Sequence, residues 1–195
     1  MSPITHFLTG WVVANTTTLD RRGRTIVTLA AVAPDVDGLG IVPEFITRHS
    51  QYPLLWFSQY HHALHTIWFA ILVSIVAFFV SGRKWLPAGL AFFAFHVHLL
   101  EDIVGSRGPD GYVWPIPYLF PFSERWIWTW QGQWGLNAWP NIAITLALLA
   151  VTIVLALRRG FSPVEIFSSR ADNVVVSALR NRFGALGKTA ASENY

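Results

Sequence analysis

The chain of 195 residues contains no cysteine. That excludes a disulfide framework and any thiolate metal site, and it leaves the redox compartment unmarked. Charge is scarce as well. Only 13% of residues are charged against 53% hydrophobic, a balance unusual for a soluble domain. No internal repeat or low-complexity tract interrupts the chain, and its length suits one compact domain. The first apolar stretch has no basic residue before it and no small-residue cleavage site. The N-terminus therefore reads as part of the mature protein, with Ser2 as helix cap and Pro3 as first helical residue.

Apolar runs are what the sequence has in quantity. The clearest, IAITLALLAVTIVLAL at 142–157, follows Trp-Pro and is closed by Arg158 and Arg159. A second spans 63–80 and is closed by SGRK, and a third spans 85–103. Two shorter runs, 4–19 and 25–33, flank DRRGR. The longer runs would span roughly 25–30 Å as helix, about the thickness of a bilayer core. The expected fold is all-α, a polytopic membrane bundle of about four to five membrane-embedded helices over residues 1–160. Residues 161–195 read as a basic cytoplasmic tail, part surface-bound helix and part disordered. Six tryptophans between Trp114 and Trp139 suit a belt at headgroup depth.

Charge position sets an expected orientation. If the five segments alternate across the membrane, one set of loops holds eleven of the fourteen Lys and Arg residues. The other set holds only Arg48, Arg107 and Arg125. The basic set belongs in the cytoplasm by the positive-inside rule. If the two short segments form a re-entrant pair, the same loops stay on the same sides.

Histidines and carboxylates gather at the opposite, less basic pole. His6 lies in the first turn of the first segment, and Asp35 and Asp37 at the exit of the second. His61, His62 and His65 lie at the start of the third, and His96, His98, Glu101 and Asp102 at the end of the fourth. His98 and Asp102 are four apart and stack on one helix face, as His61 and His65 would. His96 and His98 are about 200° apart around a helix, so only one can face the centre that Asp102 faces, and His98 is the better choice. Imidazoles with carboxylates and no thiolate suit Zn²⁺, and also Mn²⁺ or Fe²⁺.

Electrostatics favours a cation at this pole. Carboxylates near helix C-termini are opposed by the macrodipole at a cost of ~0.3–1 kcal/mol each. An unpaired one in the apolar layer costs ~2.5–3.5 kcal/mol on insertion scales. A divalent ion would neutralise several at once. His6, near a helix N-terminus, is favoured in its neutral, ligating form. The bland reading, an interfacial or hydrogen-bonded histidine, fits His49 and His96. His61 and His62 stay open between ligand, outer support and surface. Glu101 points roughly 100° from Asp102, which suits outer support or a general base.

The stretches ITHFLTGW, APDVDG, HHALHT and HVHLLEDIVGSRG, followed by WPIPYLFPFS, carry a resemblance. In this order they resemble the bacterial membrane-bound metal-dependent hydrolases of the YdjM-like group, also described as LexA-binding inner-membrane hydrolases. The likeness covers roughly residues 1–125. It implies metal ligation by His6, Asp35, Asp37, His65, His98 and Asp102, with Pro115, Pro117 and Pro121 in the last motif. Tyr60, His61 and His62 stand where the family has His-Arg-Gly, so His61 or His62 would replace one imidazole. The His-x-x-x-Asp element is more distantly similar to that of zinc-dependent phospholipase C.

The expected function is therefore an integral membrane hydrolase of the bacterial inner membrane, with its site at the extracytoplasmic face. A bound metal would activate water against a phosphoester, with a lipid as the expected substrate. Glu101 is the candidate proton acceptor, and Arg107 and Arg125 are candidate phosphate contacts. Two rivals stand beside it. One is a transport subunit with a metal or proton path, though the ionisable groups gather at one end rather than through the depth. The other is a non-catalytic scaffold with a structural metal, whose tail binds a cytoplasmic protein. Nucleic acid is not expected, because the tail's basic residues are spread out and suit anionic lipid.

Overall fold

Helix-capping residues set the lengths of the elements. The structure, a computed structural model, describes residues 1–186. Helix α1 (Pro3–Ala14) starts as the sequence predicts, with Ser2 accepting from the Thr5 amide and Pro3 in the first turn. It stops at Asn15, whose side chain donates to Trp11 O at 2.9 Å. The β-branched Thr16–Thr18 run then leaves the helix. Asp20 caps α2 (Arg21–Ala30) by accepting from Gly23 N at 2.9 Å, so α2 begins four residues before the apolar pattern. A 3-10 segment, Ala33–Gly40, follows and leads to two short helices, α3 (Ile41–Thr47) and α4 (Trp56–Tyr60). Thr66 caps α5 (Ile67–Val80), and α6 (Trp85–Gly105) and α7 (Trp139–Arg159) are the two long helices. Gly160, at φ 80°, ends α7 in the left-handed conformation.

The number of spans is smaller than the sequence suggests. Helices α6 and α7, at 21 residues each, are long and apolar enough to cross a membrane. Helix α2 and the segment Ala33–Thr47 pass the same test together but are bent by 52°, which makes up to three. Helix α5, an apolar helix of 14 residues, is shorter, about 21 Å against a core of about 30 Å. The apolar composition of 4–19 and 63–80 runs past the points where Asn15 and Thr66 cut the helices.

Small side chains bring the helices together. Ala30 and Ala31 at the end of α2 share a core with Val13 and Ala14 of α1, Ala77 of α5, and Ala91 and Ala94 of α6. Gly10 marks the closest approach of α1 to α2. A Cβ there would lie 2.6 Å from Ala31 Cβ and 2.8 Å from the Thr28 carbonyl oxygen. A second core joins Ala70 of α5, Phe95 and Leu99 of α6, and Ile116. Ile116 belongs to a two-stranded ribbon, β1 (Ile116–Pro117) with β2 (Ile127–Trp128) antiparallel. The ribbon closes the α6–α7 connection over one end of the bundle.

The other end is basic and carries the chain's last described helix. Arg24 is buried and donates to both Glu165 oxygens, at 2.5 and 2.8 Å. Arg159 donates to Asn15 O at 2.8 Å and Arg83 to Thr18 O at 3.2 Å. Helix α8 (Ser169–Phe183) returns to the bundle, with Arg180 donating to Leu157 O at 3.2 Å. Thus much of the expected tail is docked helix. The terminal KTAASENY lies outside the described residues.

Gly10 and Gly89 make a paired prediction. Gly10→Ala meets backbone and should cost about 1–3 kcal/mol by overpacking. Gly89→Ala, with nothing within 4 Å of its Cβ, should gain about 0.5–1 kcal/mol from helix propensity. Thermal midpoints in detergent should move in opposite directions.

Candidate metal centre

Three helix ends and a turn deliver the donors. Helix α1 brings His6, the start of the 3-10 segment brings Asp35, the turn before α5 brings His65, and the last turns of α6 bring His98 and Asp102. Ligand atoms of His6, Asp35, His98 and Asp102 all lie within 4.8 Å of one another. His98 Nε2 is 3.1 Å from Asp102 Oδ2 and 3.7 Å from Asp35 Oδ1, and His6 Nε2 is 3.2 Å from Asp102 Oδ1. His65 borders the group, its Nε2 lying 3.3 Å from His98 Nε2 and 3.5 Å from Asp102 Oδ2. Two ligand atoms about 2.1 Å from one ion in tetrahedral array lie about 3.4 Å apart. The three nearest donor pairs, at 3.1, 3.2 and 3.7 Å, bracket that value, within a group whose members lie up to 4.8 Å apart.

The outer contacts orient the imidazoles. His98 Nδ1 lies 2.9 Å from the Ala31 carbonyl oxygen. As the C-cap of α2, Ala31 has a carbonyl no longer used by the helix. The carbonyl can only accept, so Nδ1 carries the proton and a neutral His98 presents the Nε2 lone pair. His6 Nδ1 lies 2.6 Å from Glu101 Oε2, and Thr9 donates to the other Glu101 oxygen at 2.5 Å. With Nδ1 donating to Glu101, a neutral His6 would turn its Nε2 lone pair toward Asp102. Carboxylate- or carbonyl-supported imidazoles of this kind are the usual outer shell of metal-ligating histidines. His65 has Asp37 Oδ2 3.5 Å from its Nδ1.

Burial makes a cation favourable in this arrangement. His6, His65, His98 and Asp102 are buried. His6 Nε2 and Asp35 Oδ2 are buried without a hydrogen-bond partner among the described residues. Lone pairs and carboxylates facing one another in a dry site repel, and leaving buried polar atoms unsatisfied is costly. The residues present fit a divalent ion. The Met1 amine, a positive group, lies against Asp102 and 2.7 Å from Ser106 Oγ.

Residues 1–175 match the family described as YdjM inner membrane protein. The chain belongs to this family. No curated protein and no solved structure matches it. Membership of the YdjM family makes the chain an inner-membrane protein, in keeping with the apolar helices α6 and α7.

Other expected site residues of this YdjM protein lie around the four-residue group. Asp37 and His61 form their own pair at 2.8 Å, and Asp37 also accepts from Leu64 N at 3.1 Å. They stand behind His65. Glu101 reaches the group through His6. The Arg107 guanidinium donates to the Gln131 carbonyl, and its backbone joins Trp134 and Leu136. His96 faces elsewhere, with Nδ1 2.8 Å from Phe92 O and Nε2 2.8 Å from the Tyr118 hydroxyl. His49 accepts from Arg48 on the surface. His62 packs against Trp114. Burial, then the neighbouring His65 and His61, push its pKa down to about 4, so it is neutral at pH 7.

Sequence reasoning missed Thr9, the Ala31 carbonyl and Gln133. Thr9 follows His6 by three positions, a helix-face spacing that could have identified it. Gln133 holds the backbone of Trp114 through two bonds of 2.8 Å, and nothing in its sequence neighbourhood signals that role.

Metal content tests the centre. Purified wild type and His96→Ala should carry stoichiometric metal by elemental analysis, while His98→Ala and Asp102→Ala should lose it. Glu101→Gln should weaken affinity by about 10–100-fold, the usual effect of removing an outer-shell partner. Full retention in Asp102→Ala would place the ion elsewhere.

Proposed function

We propose that this chain is an integral inner-membrane, metal-dependent hydrolase acting on a phosphoester, with a lipid as the substrate class. The reading is carried by one observation. Imidazoles with their Nδ1 atoms held by outer acceptors turn Nε2 toward buried carboxylates at metal-ligand spacing. Zn²⁺ is the proposed ion, and Mn²⁺ or Fe²⁺ suits the same donors. His6, His98, Asp102 and Asp35 would hold it, with His65 at the border. A bound divalent ion would supply Lewis acidity, acidifying water toward a pKa of about 7 and polarising a phosphoryl oxygen.

The chain's own residues have distinct parts in this proposal. Glu101 and Thr9 fix the His6 tautomer, so Glu101 serves as a positioning residue rather than the proton acceptor. Asp35 has an unpartnered oxygen and, at 17% side-chain exposure, is the most open of the four-residue group. With Oδ1 turned to the ion, its free Oδ2 is the proposed acceptor of the water proton. Arg107, whose Nε lacks a partner among the described residues, and the exposed Arg125 are proposed to meet phosphate. The lipid assignment is supported by exposed Trp126 and Trp130 at this pole, since indoles favour headgroup depth. The basic pole is assigned to the cytoplasm by the positive-inside rule, which puts the site at the extracytoplasmic face.

Activity and topology are tested separately. Metal-loaded protein should cleave members of a panel of phosphomonoesters, phosphodiesters and short-chain phospholipids. Chelator should abolish turnover, added Zn²⁺ should restore it, and folded Asp102→Ala should be inactive. A metal-replete protein inactive on the whole panel would count against hydrolysis while leaving the centre intact. A reporter fused after Leu157 should read cytoplasmic, and a periplasmic signal would invert the orientation.

A further inference from the structure

Between Asp35 and His61 the chain makes an excursion that starts and ends at the centre. It leaves the bend after α2, forms the 3-10 segment, α3 and α4, and returns at the His61–His65 turn. Helices α3 and α4 have seven and five residues, so neither approaches the roughly 20 residues a crossing needs. Neither contains a buried residue. Their outward side chains are nonetheless apolar. Leu39 is 66% exposed, Phe45 61%, Ile46 75%, Tyr52 80% and Trp56 51%.

The carboxylates and Thr47 of this excursion are internally matched, while Ser50, Gln51 and Gln59 are exposed at its surface. Asp, Glu, Lys and Arg number three in residues 36–60, namely Asp37, Glu44 and Arg48. Asp37 is held by His61 and the Leu64 amide. Glu44 accepts from Ser58 N at 2.9 Å and from its hydroxyl at 2.5 Å. Thr47 donates to Pro43 O at 2.7 Å and accepts from Leu54 N at 2.9 Å. Arg48 lies over the Phe45 ring at 4.2 Å, with its stem along apolar surface and its charge at the edge. Water would reward the opposite arrangement, with polar groups outward. A contiguous apolar face of this kind marks an interaction surface.

We propose that residues 36–60 are a lobe embedded in lipid, seated in the leaflet at the metal-centre pole, with Arg48 at the headgroups. The membrane is the occupant favoured by three features. The lobe is attached directly to a membrane bundle, its carboxylates are engaged by hydrogen bonds within the lobe and its base, and its one unpaired charge, Arg48, is cationic, matching anionic headgroups. The proposal does not require that the centre hydrolyse anything.

The absence of cysteine from the chain makes a single introduced thiol a unique probe. Ile46→Cys and, separately, Tyr52→Cys would carry a nitroxide in the full-length protein. The protein would be placed in nanodiscs of phosphatidylethanolamine and phosphatidylglycerol. Power-saturation EPR would compare oxygen with the water-soluble chromium oxalate complex. Reference labels would sit at Leu146→Cys on exposed α7 and at Glu124→Cys in the exposed loop. The Ile46 label should resemble Leu146, with an oxygen-to-chromium accessibility ratio several-fold above that at Glu124. Tyr52 gives the same reading if Ile46→Cys disturbs folding. An aqueous pattern at both positions would overturn the proposal. So would exclusion of both relaxants with dipolar broadening between labels, which would mean that a second copy of the chain covers the face.

Discussion

Asp102 is the carboxylate on which the metal pole is organised. It is buried, and His6, His65, His98 and the Met1 amine approach it from three directions. An uncompensated carboxylate in such a place costs several kcal/mol, so each of these segments must be present for the others to be stable. His98 ties Asp102 to the end of α2 through Ala31, and His65 ties it to the turn that begins α5. The close helix approaches at Gly10, Ala31 and Ala94 serve this geometry, because larger side chains would hold the donors apart.

Much of this was legible in the sequence. The four-residue interval between His98 and Asp102 put both on one face, and the half-turn offset of His96 excluded it. The structure places His96 against Phe92 and Tyr118 accordingly. Caps at Ser2 and Pro3 were equally readable. Outer support by Glu101 was readable from its angle of about 100° to Asp102, but the residue it supports was not. A single imidazole links the two, since the two ring nitrogens of His6 lie on different sides and touch both carboxylates. Helix lengths were hidden for another reason. Composition continues through Asn15 and Thr66, and only a specific side-chain hydrogen bond says where the helix stops. The Arg24–Glu165 pair, 141 positions apart, has no local signature at all.

The two poles use charge differently. At the metal pole, anionic groups outnumber fixed cations and face inward. At the basic pole, Arg24 meets Glu165 in a bidentate pair, and Arg159, Arg83 and Arg180 donate to carbonyls at helix and turn ends. The carbonyls of Asn15 and Leu157 lie at the ends of α1 and α7 and carry the partial negative charge of helix C-termini, where cations are favourable. The bundle is thereby closed by short-range pairing at one end and left with a donor group that could hold a further positive charge at the other.

His6 and Glu101 meet although 95 positions separate them, and this has a consequence for biogenesis. The ribosome delivers α1 first, so His6 must wait through the synthesis of α2, the apolar excursion and α5 before its supporting carboxylate exists. Until α6 is made, the early helices carry a partial donor set in which His6 lacks its outer support. An ion held by this group could therefore be captured only once α6 is complete.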